Sequence, residues 1–263
     1  MPYAIDTHCH IHLMPESERK AVFDRALAAG VQKLINVACS LEDVALCLPI
    51  TDQMDNVWTS VGLHPTTLGY DLEKDLERVY EVAKDERKVV GIGEMGLDYY
   101  HNKFDRDTQI DYLVGHLNIA KQLDLPAIIH CRAGKNPGEN ESAFLDLIKV
   151  LKKERFSRAQ IHCFSGNLRE ADQLLELGCY LSFTGIITYS RNEELRDIVK
   201  RTPLDRMLIE TDSPYLTPDG HRGKPNEPAY VMEVAKTIAT VKQLPLEHVL
   251  LQTSTNAEGF FNI

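Results

Sequence analysis

The amino-acid sequence predicts a (β/α)8 barrel, the TIM-barrel fold, built as one domain over residues 1–263 with an extra helix at the C-terminal end. Three observations carry this prediction. Eight short runs rich in Val, Ile, Leu or aromatic residues alternate with longer amphipathic stretches from one end of the chain to the other. No linker or shift in composition interrupts the alternation. The length of 263 residues suits the ~250 that eight strand–helix units typically occupy. A doubly wound open sheet shares the alternation, and strand counting does not exclude it.

In order, the strand-like runs are YAIDTH (3–8), KLINVAC (33–39), VWTSVGLH (57–64), KVVGIGE (88–94), PAIIHC (126–131), RAQIHC (158–163), CYLSFTG (179–185) and RMLIETD (206–212). Each is bounded by Gly, Pro or polar residues. The segments between them read as helices over 16–29, 41–53, 71–85, 106–124, 139–154, 168–177 and 191–201, and two more follow near 227–242 and 246–258. In 106–124, Ile110, Leu113, Leu117 and Ala120 fall on one helical face. Gly30 and Gly178 stand where a left-handed C-cap ends a helix.

Composition narrows the function classes. Hydrophobic content of 43% and charged content of 26% suit a soluble globular protein with a substantial core. No apolar run approaches the ~20 residues of a membrane span, and the opening MPYAIDTHCH does not read as a signal peptide. The six cysteines, at 9, 39, 47, 131, 163 and 179, form no Cys-x-x-Cys pair and mostly lie in apolar stretches. They predict packed free thiols in a reducing, cytoplasmic setting. A net charge of -10 argues against non-specific coating of nucleic acid. A polyanion at one local site stays possible, because bound divalent cations reverse the local field.

The position of the reactive residues points to function. His8 and His10 end the first run, His64 the third, Glu94 the fourth, His130 the fifth, His162 the sixth and Asp212 the eighth. In a parallel barrel those ends share one rim, the face on which barrel enzymes build their sites. His8 and His10 are two apart and point to the same side, with Cys9 pointing away. Cys131 and Cys163 each follow a histidine and are expected to face the helix layer. A lone strand histidine is usually structural, but this many imidazoles and carboxylates on one rim suit Zn²⁺, Mn²⁺ or Fe²⁺, with a carboxylate able to bridge two cations.

The stretch GIGEMGLDYY (91–100) carries glycines in the spacing of a dinucleotide fingerprint. A pyrophosphate loop needs a helix beginning at its last glycine. Here LDYYHNKFD follows Gly96 with no helical start, and Glu94 would repel a phosphate. The glycine match is therefore read as chance and Glu94 as a metal ligand.

The segments DTHCHIH, VGLHP, GEMGLDYY, IHCRA, IHCFSG, ETDSPYLTP, HRGKPNEPAYV and TSTNAEGFF resemble, in order and over essentially the whole chain, the signature blocks of TatD-family metal-dependent deoxyribonucleases. The resemblance implies an amidohydrolase-like TIM barrel with two divalent metal ions (Zn²⁺, Mn²⁺ or Mg²⁺). His8, His10, Glu94 and Asp212 would hold the first, and Glu94, His130 and His162 the second, with Glu94 bridging. His64, Arg222 and Asn226 resemble the family's substrate-binding rim. One stretch departs from the family pattern: AGKNPGENES (133–142) replaces a shorter, acidic path into the next helix, which bears on substrate preference.

The expected reaction is metal-assisted phosphodiester hydrolysis of DNA, with single strands or 3' ends as substrate and 3'-5' polarity. Asp212, Glu94 and His64 form the catalytic set, Asp212 accepting the proton of the attacking water. Tyr99 or Tyr100 offers a stacking face, while Arg222 and Lys224 steer phosphates. His12, His101, His116, His221 and His248 are read as lying outside the site. No membrane and no required protein partner is expected. Two alternatives stay open. The same ligands suit a metal-dependent ester or amide hydrolase such as a D-aminoacyl-tRNA deacylase, or a barrel that keeps metal for stability and works as a scaffold.

Overall fold

The computed structural model describes residues 2–135 and 142–263. Eight strands alternate with helices: β1 (Ala4–Cys9), α1 (Glu16–Ala28), β2 (Val31–Asn36), α2 (Leu41–Gln53), β3 (Val57–Val61), α3 (Leu72–Asp85), β4 (Val89–Asp98), α4 (Arg106–Leu123) and β5 (Ala127–Arg132). Then come α5 (Ala143–Glu154), β6 (Ala159–Ile161), α6 (Leu168–Glu176), β7 (Tyr180–Phe183), α7 (Glu193–Arg201), β8 (Met207–Ile209), α8 (Val231–Lys242) and α9 (Leu246–Phe261). The strands pair in parallel in the order β1 to β8, one sheet of eight. A doubly wound sheet would reverse its strand order at a switch point; this one does not, and the barrel prediction holds.

Between β1 and β8 the barrel is drawn together at its top by backbone bonds beyond the strands. Asp212 N donates to His8 O at 2.8 Å, and His10 N donates to Ser213 O at 2.7 Å. The same bonds fix three predicted ligands against one another.

The core has two parts. Strand and helix side chains fill the space between barrel and helices, where Leu34, Ile92, Leu113, Leu147 and Val234 are fully or almost fully buried. Inside the barrel, Ile5, Ile35, Val37, Val90, Ile128 and Leu208 pack with Phe260 and Phe261 of α9. The extra helix thus closes the end opposite the mouth, and Arg158 at the start of β6 donates to Phe260 O at 2.7 Å. Local chemistry sets the helix starts. Ser40, Asp71, Asp105 and Asn167 each accept a bond from an amide in the first turn, and Asn167 forms a full capping box with Glu170. Gly30 and Gly178 adopt φ of +92° and +88° after their helices.

Most strand boundaries differ by a few residues from the sequence reading; β2, β3 and β7 end at Asn36, Val61 and Phe183, short of 39, 64 and 185, so His64 lies past its strand. Strand β4 runs on to Asp98, four residues beyond Glu94. Strands β6 and β8 stop early, because Cys163 and Asp212 take left-handed φ of 44° and 58° and turn the chain inward. His162 and Asp212 therefore sit just past their strands. Most of the 133–142 loop lies outside the described residues, and α5 begins at Ala143.

Candidate metal centre

Glu94 is the hub of the mouth. Its Oε2 lies 3.5 Å from His8 Nε2, and Oε1 lies 3.1 Å from His130 Nδ1, 3.7 Å from His64 Nε2 and 3.8 Å from His162 Nε2. On the Oε2 side, His8 Nε2 faces His10 Nε2 at 3.2 Å, and Asp212 Oδ1 stands 3.2 Å from His10 and 3.8 Å from His8. The two carboxylate oxygens thus face different donors, His8 on one side and His130 and His64 on the other, with His162 Nε2 between the groups, also 3.8 Å from Asp212 Oδ1.

The glycines flanking this residue answer to packing. Gly93 and Gly96 have φ of +146° and +144°, and a Cβ on either would overlap the carbonyl oxygen of Ile128 or His130 on β5. Their spacing lets β4 press against β5, which brings Glu94 to His130, and it has nothing to do with a pyrophosphate.

Neighbours orient His10, His130 and His162. His10 Nδ1–H donates to Val37 O at 2.8 Å, so the Nε2 lone pair points into the mouth. Asp98 Oδ2 lies 3.2 Å from His130 Nε2, which turns His130 Nδ1 toward Glu94. Glu210 Oε1 lies 2.7 Å from His162 Nδ1, close in distance though outside hydrogen-bond angles. Glu210 itself is wholly buried and accepts from Cys163 N (2.7 Å), Gln160 Nε2 (2.7 Å) and Ser182 Oγ (2.6 Å). Carboxylate or carbonyl support of this kind is what fixes metal-binding histidines in tautomer and direction.

Electrostatics follow from the crowding. Burial opposes charge on Glu94, but His64, His162, His8 and His130 outweigh it and hold its carboxyl well below the usual range. Burial likewise opposes charge on His162, and the carboxylates of Glu210, Glu94 and Asp212 push it up to about 10. Burial, with His162 stacked 3.5 Å away, lowers His8.

This donor set fits divalent cations. Ligand atoms ~2.0–2.1 Å from one tetrahedral cation stand about 3.4 Å apart. The separations of 3.2, 3.5 and 3.8 Å from His8 to His10, Glu94 and Asp212 bracket that value. Buried imidazole nitrogens and carboxylate oxygens gathered this closely are the donor chemistry of a divalent-cation site. The trios His8–His10–Asp212, His8–Glu94–His162 and His64–Glu94–His130 all have their ligand atoms within 4.8 Å of one another.

The comparisons with known proteins decide the family. The family model described as TatD related DNase matches residues 5–262. The chain belongs to that family. Among TatD-family relatives, it is 37% identical over 269 residues to the uncharacterized metal-dependent hydrolase YcfH of Escherichia coli K12, covering 99% of this chain and 96% of that one. It is 30% identical over 247 residues to the 3'-5' ssDNA/RNA exonuclease TatD of Klebsiella pneumoniae, covering 92% and 91%. The crystal structure of YjjV, the TatD homologue of E. coli K12, superposes with a TM-score of 0.90 at 31% identity, covering 99% and 98%. This TatD-family chain is accordingly a metal-dependent hydrolase. No helix of the described residues is long and apolar enough to cross a membrane.

The TatD-type mouth brings together His8, His10, His64, Glu94, His130, His162 and Asp212 and leaves three expected rim residues elsewhere. Asn226 is 1% exposed, and its amide donates to Thr211 O (2.8 Å) and Tyr215 O (2.6 Å). It is a brace for the Asp212 loop and does not face substrate. Tyr99 directs its hydroxyl to Asp146 at 3.0 Å, between α4 and α5, and the exposed Tyr100 stands beside Arg132 at the edge of the mouth, outside its lining. Arg222 lies over Tyr189 at 4.8 Å and beside Asp219, outside the residues lining the mouth.

Other residues of the site were missed. Asp98 and Glu210 stand four and two residues from proposed ligands, and contacts with His130 and His162 bring them to the site. His101, expected to be ordinary, lines the mouth and is 2.8 Å from Asp98. Cys39, Cys131 and Cys163, expected to be packed thiols, also line it.

Proposed function

We propose that this mouth hydrolyses phosphodiester bonds of single-stranded DNA as a 3'-5' exonuclease, using two divalent cations held by His8, His10, Glu94 and Asp212 and by Glu94, His130 and His162. The division of donors between the two oxygens of Glu94 carries this reading. When bound, such cations supply Lewis acidity toward the phosphate and a water acidified enough to give hydroxide near neutral pH.

The chain's own groups do the rest. Thr66 N donates to His64 Nδ1 at 3.2 Å, and Thr66 Oγ1 lies 2.7 Å from the same nitrogen. Nδ1 is therefore the acceptor, and the proton resides on Nε2, aimed into the mouth. Burial pushes the His64 imidazolium down to about 3, so the ring stays neutral and offers an N–H to a phosphoryl oxygen. Asp212 lines the cavity and is the acceptor for the water's proton.

Substrate charge is met on the β4–β5 side, where Lys103 and Arg132 line a cavity of about 850 Å³. Tyr100, with the Arg132 guanidinium 3.9 Å above its ring, supplies a face for a base. This cationic arc on a chain of net charge -10 favours a polyanion. The name of the Klebsiella relative agrees, and the free cysteines suit a reducing, cytoplasmic setting.

The test is to strip the protein with chelator and restore Zn²⁺, Mn²⁺ or Mg²⁺ in turn. Each form then meets end-labelled single-stranded DNA, the matching RNA and a charged tRNA. Stepwise release of mononucleotides from DNA 3' ends supports the reading. Release of the amino acid alone, with DNA untouched, would replace it with ester hydrolysis.

A further inference from the structure

The first cation pocket contains a donor outside the histidine and carboxylate set. Cys39 Sγ lies 3.2 Å from Glu94 Oε2, the oxygen that faces His8. The ligand atoms of His10, Cys39 and Glu94 fall within 4.8 Å of one another, inside the same limit as the histidine–carboxylate trios. A thiolate and a carboxylate on one tetrahedral cation, at ~2.3 and ~2.0 Å, stand about 3.5 Å apart.

The backbone holds this thiol in place. Cys39 N donates to Asp43 Oδ2 at 3.0 Å, and Cys39 O accepts from His64 N at 2.9 Å and Thr67 Oγ1 at 2.6 Å. The preceding carbonyl, Ala38 O, accepts from Glu94 N at 2.9 Å, so the Cys39 and Glu94 segments are joined beside the pocket. Hydrogen bonding to Glu94 is a poor explanation for a cysteine, because S–H is a weak donor and a serine hydroxyl would serve better. What sulfur adds over oxygen is softness.

We propose that Cys39 is a ligand of the first cation and biases that pocket toward thiophilic divalent ions such as Zn²⁺, Co²⁺ and Cd²⁺ over Mn²⁺ and Mg²⁺. On binding, the thiol proton passes to solvent and the sulfur lone pair goes to the cation. This inference rests on the two-cation reading of the mouth, and the experiment separates the two.

Metal-free full-length protein is titrated with Co²⁺ and followed by absorption. Visible ligand-field bands report cobalt in the histidine–carboxylate centre, and a near-ultraviolet charge-transfer band reports a Co–S bond. The wild type is expected to show both. Cys39→Ser should keep the visible bands, lose the near-ultraviolet band and bind Zn²⁺ about tenfold more weakly relative to Mn²⁺. Cys163→Ser and Cys131→Ser, which remove the other two thiols lining the mouth, should each keep both features. Visible bands without a charge-transfer band in the wild type would overturn the role of Cys39 and leave the centre standing. Persistence of that band in Cys39→Ser would also overturn it. No cobalt binding at all would overturn the centre itself.

Discussion

The amide of Asp212 donates to the carbonyl of His8 across the top of the barrel at 2.8 Å. The last proposed ligand of the chain is thereby registered on the first, 204 positions earlier by number (212 − 8). Asp6 reinforces the join: its Oδ1 accepts from Thr211 N at 2.9 Å, and its Oδ2 accepts from Thr211 Oγ1 at 2.6 Å, all in a buried setting. The proposed metal centre is therefore held by the same bonds that bring β1 and β8 together.

Removing that brace should act on both stability and metal. Asp6→Ala orphans the buried Thr211 amide, which costs about 1–3 kcal/mol. The loosened Asp212 loop should lower cation affinity by about tenfold. Denaturant unfolding of the metal-free protein gives the first quantity and chelator competition the second. A destabilised variant with wild-type cation affinity would show that the seam does not position Asp212.

His64 is placed as a neutral hydrogen-bond donor, although its Nε2 is 3.7 Å from Glu94 Oε1 and in ligand range. His64→Ala should lower kcat by about 10²–10³ while the metal content stays at the wild-type value. Thr66→Val frees the ring and should give a smaller loss. A loss of bound metal in His64→Ala would make His64 a ligand.

Stability should depend on pH through His116, a fully buried residue of α4. Its Nδ1–H donates to Tyr112 O at 2.7 Å, and its Nε2 accepts from Leu63 N at 3.1 Å, just before His64. Burial lowers its pKa from 6.5 to about 4. Between those values the unfolded chain binds the proton and the folded chain does not, so the contribution is present above 6.5 and lost as pH falls toward 4. The difference corresponds to about 3 kcal/mol. Unfolding at the two ends of the window should show that much less acid sensitivity in His116→Gln than in the wild type. Equal pH slopes would contradict the buried neutral ring.

Much of this was legible in the sequence because barrel strands end on one rim, so the positions of His8, His10, Glu94, His130, His162 and Asp212 within their runs already implied convergence. The eight strands and the closing α9 were legible from hydrophobic pattern. What escaped depended on contacts between distant segments. Asp98 lay beyond the assumed end of β4, and whether Glu210 faced His162 depended on how β6 met β8. Asn226 and Tyr99 share family blocks with the rim, but bonds to Thr211, Tyr215 and Asp146 draw them away from it. Cys163 escaped because strand alternation fails where a left-handed residue turns the chain.

The account turns on Glu94 joining two cation sites. Its most direct measurement is metal stoichiometry by equilibrium dialysis and elemental analysis, on the wild type and on Glu94→Ala shown to be folded by thermal unfolding. The prediction is two divalent ions per chain in the wild type and loss of both in the variant. Two ions retained without the carboxylate, or a wild type that saturates at one, would contradict it.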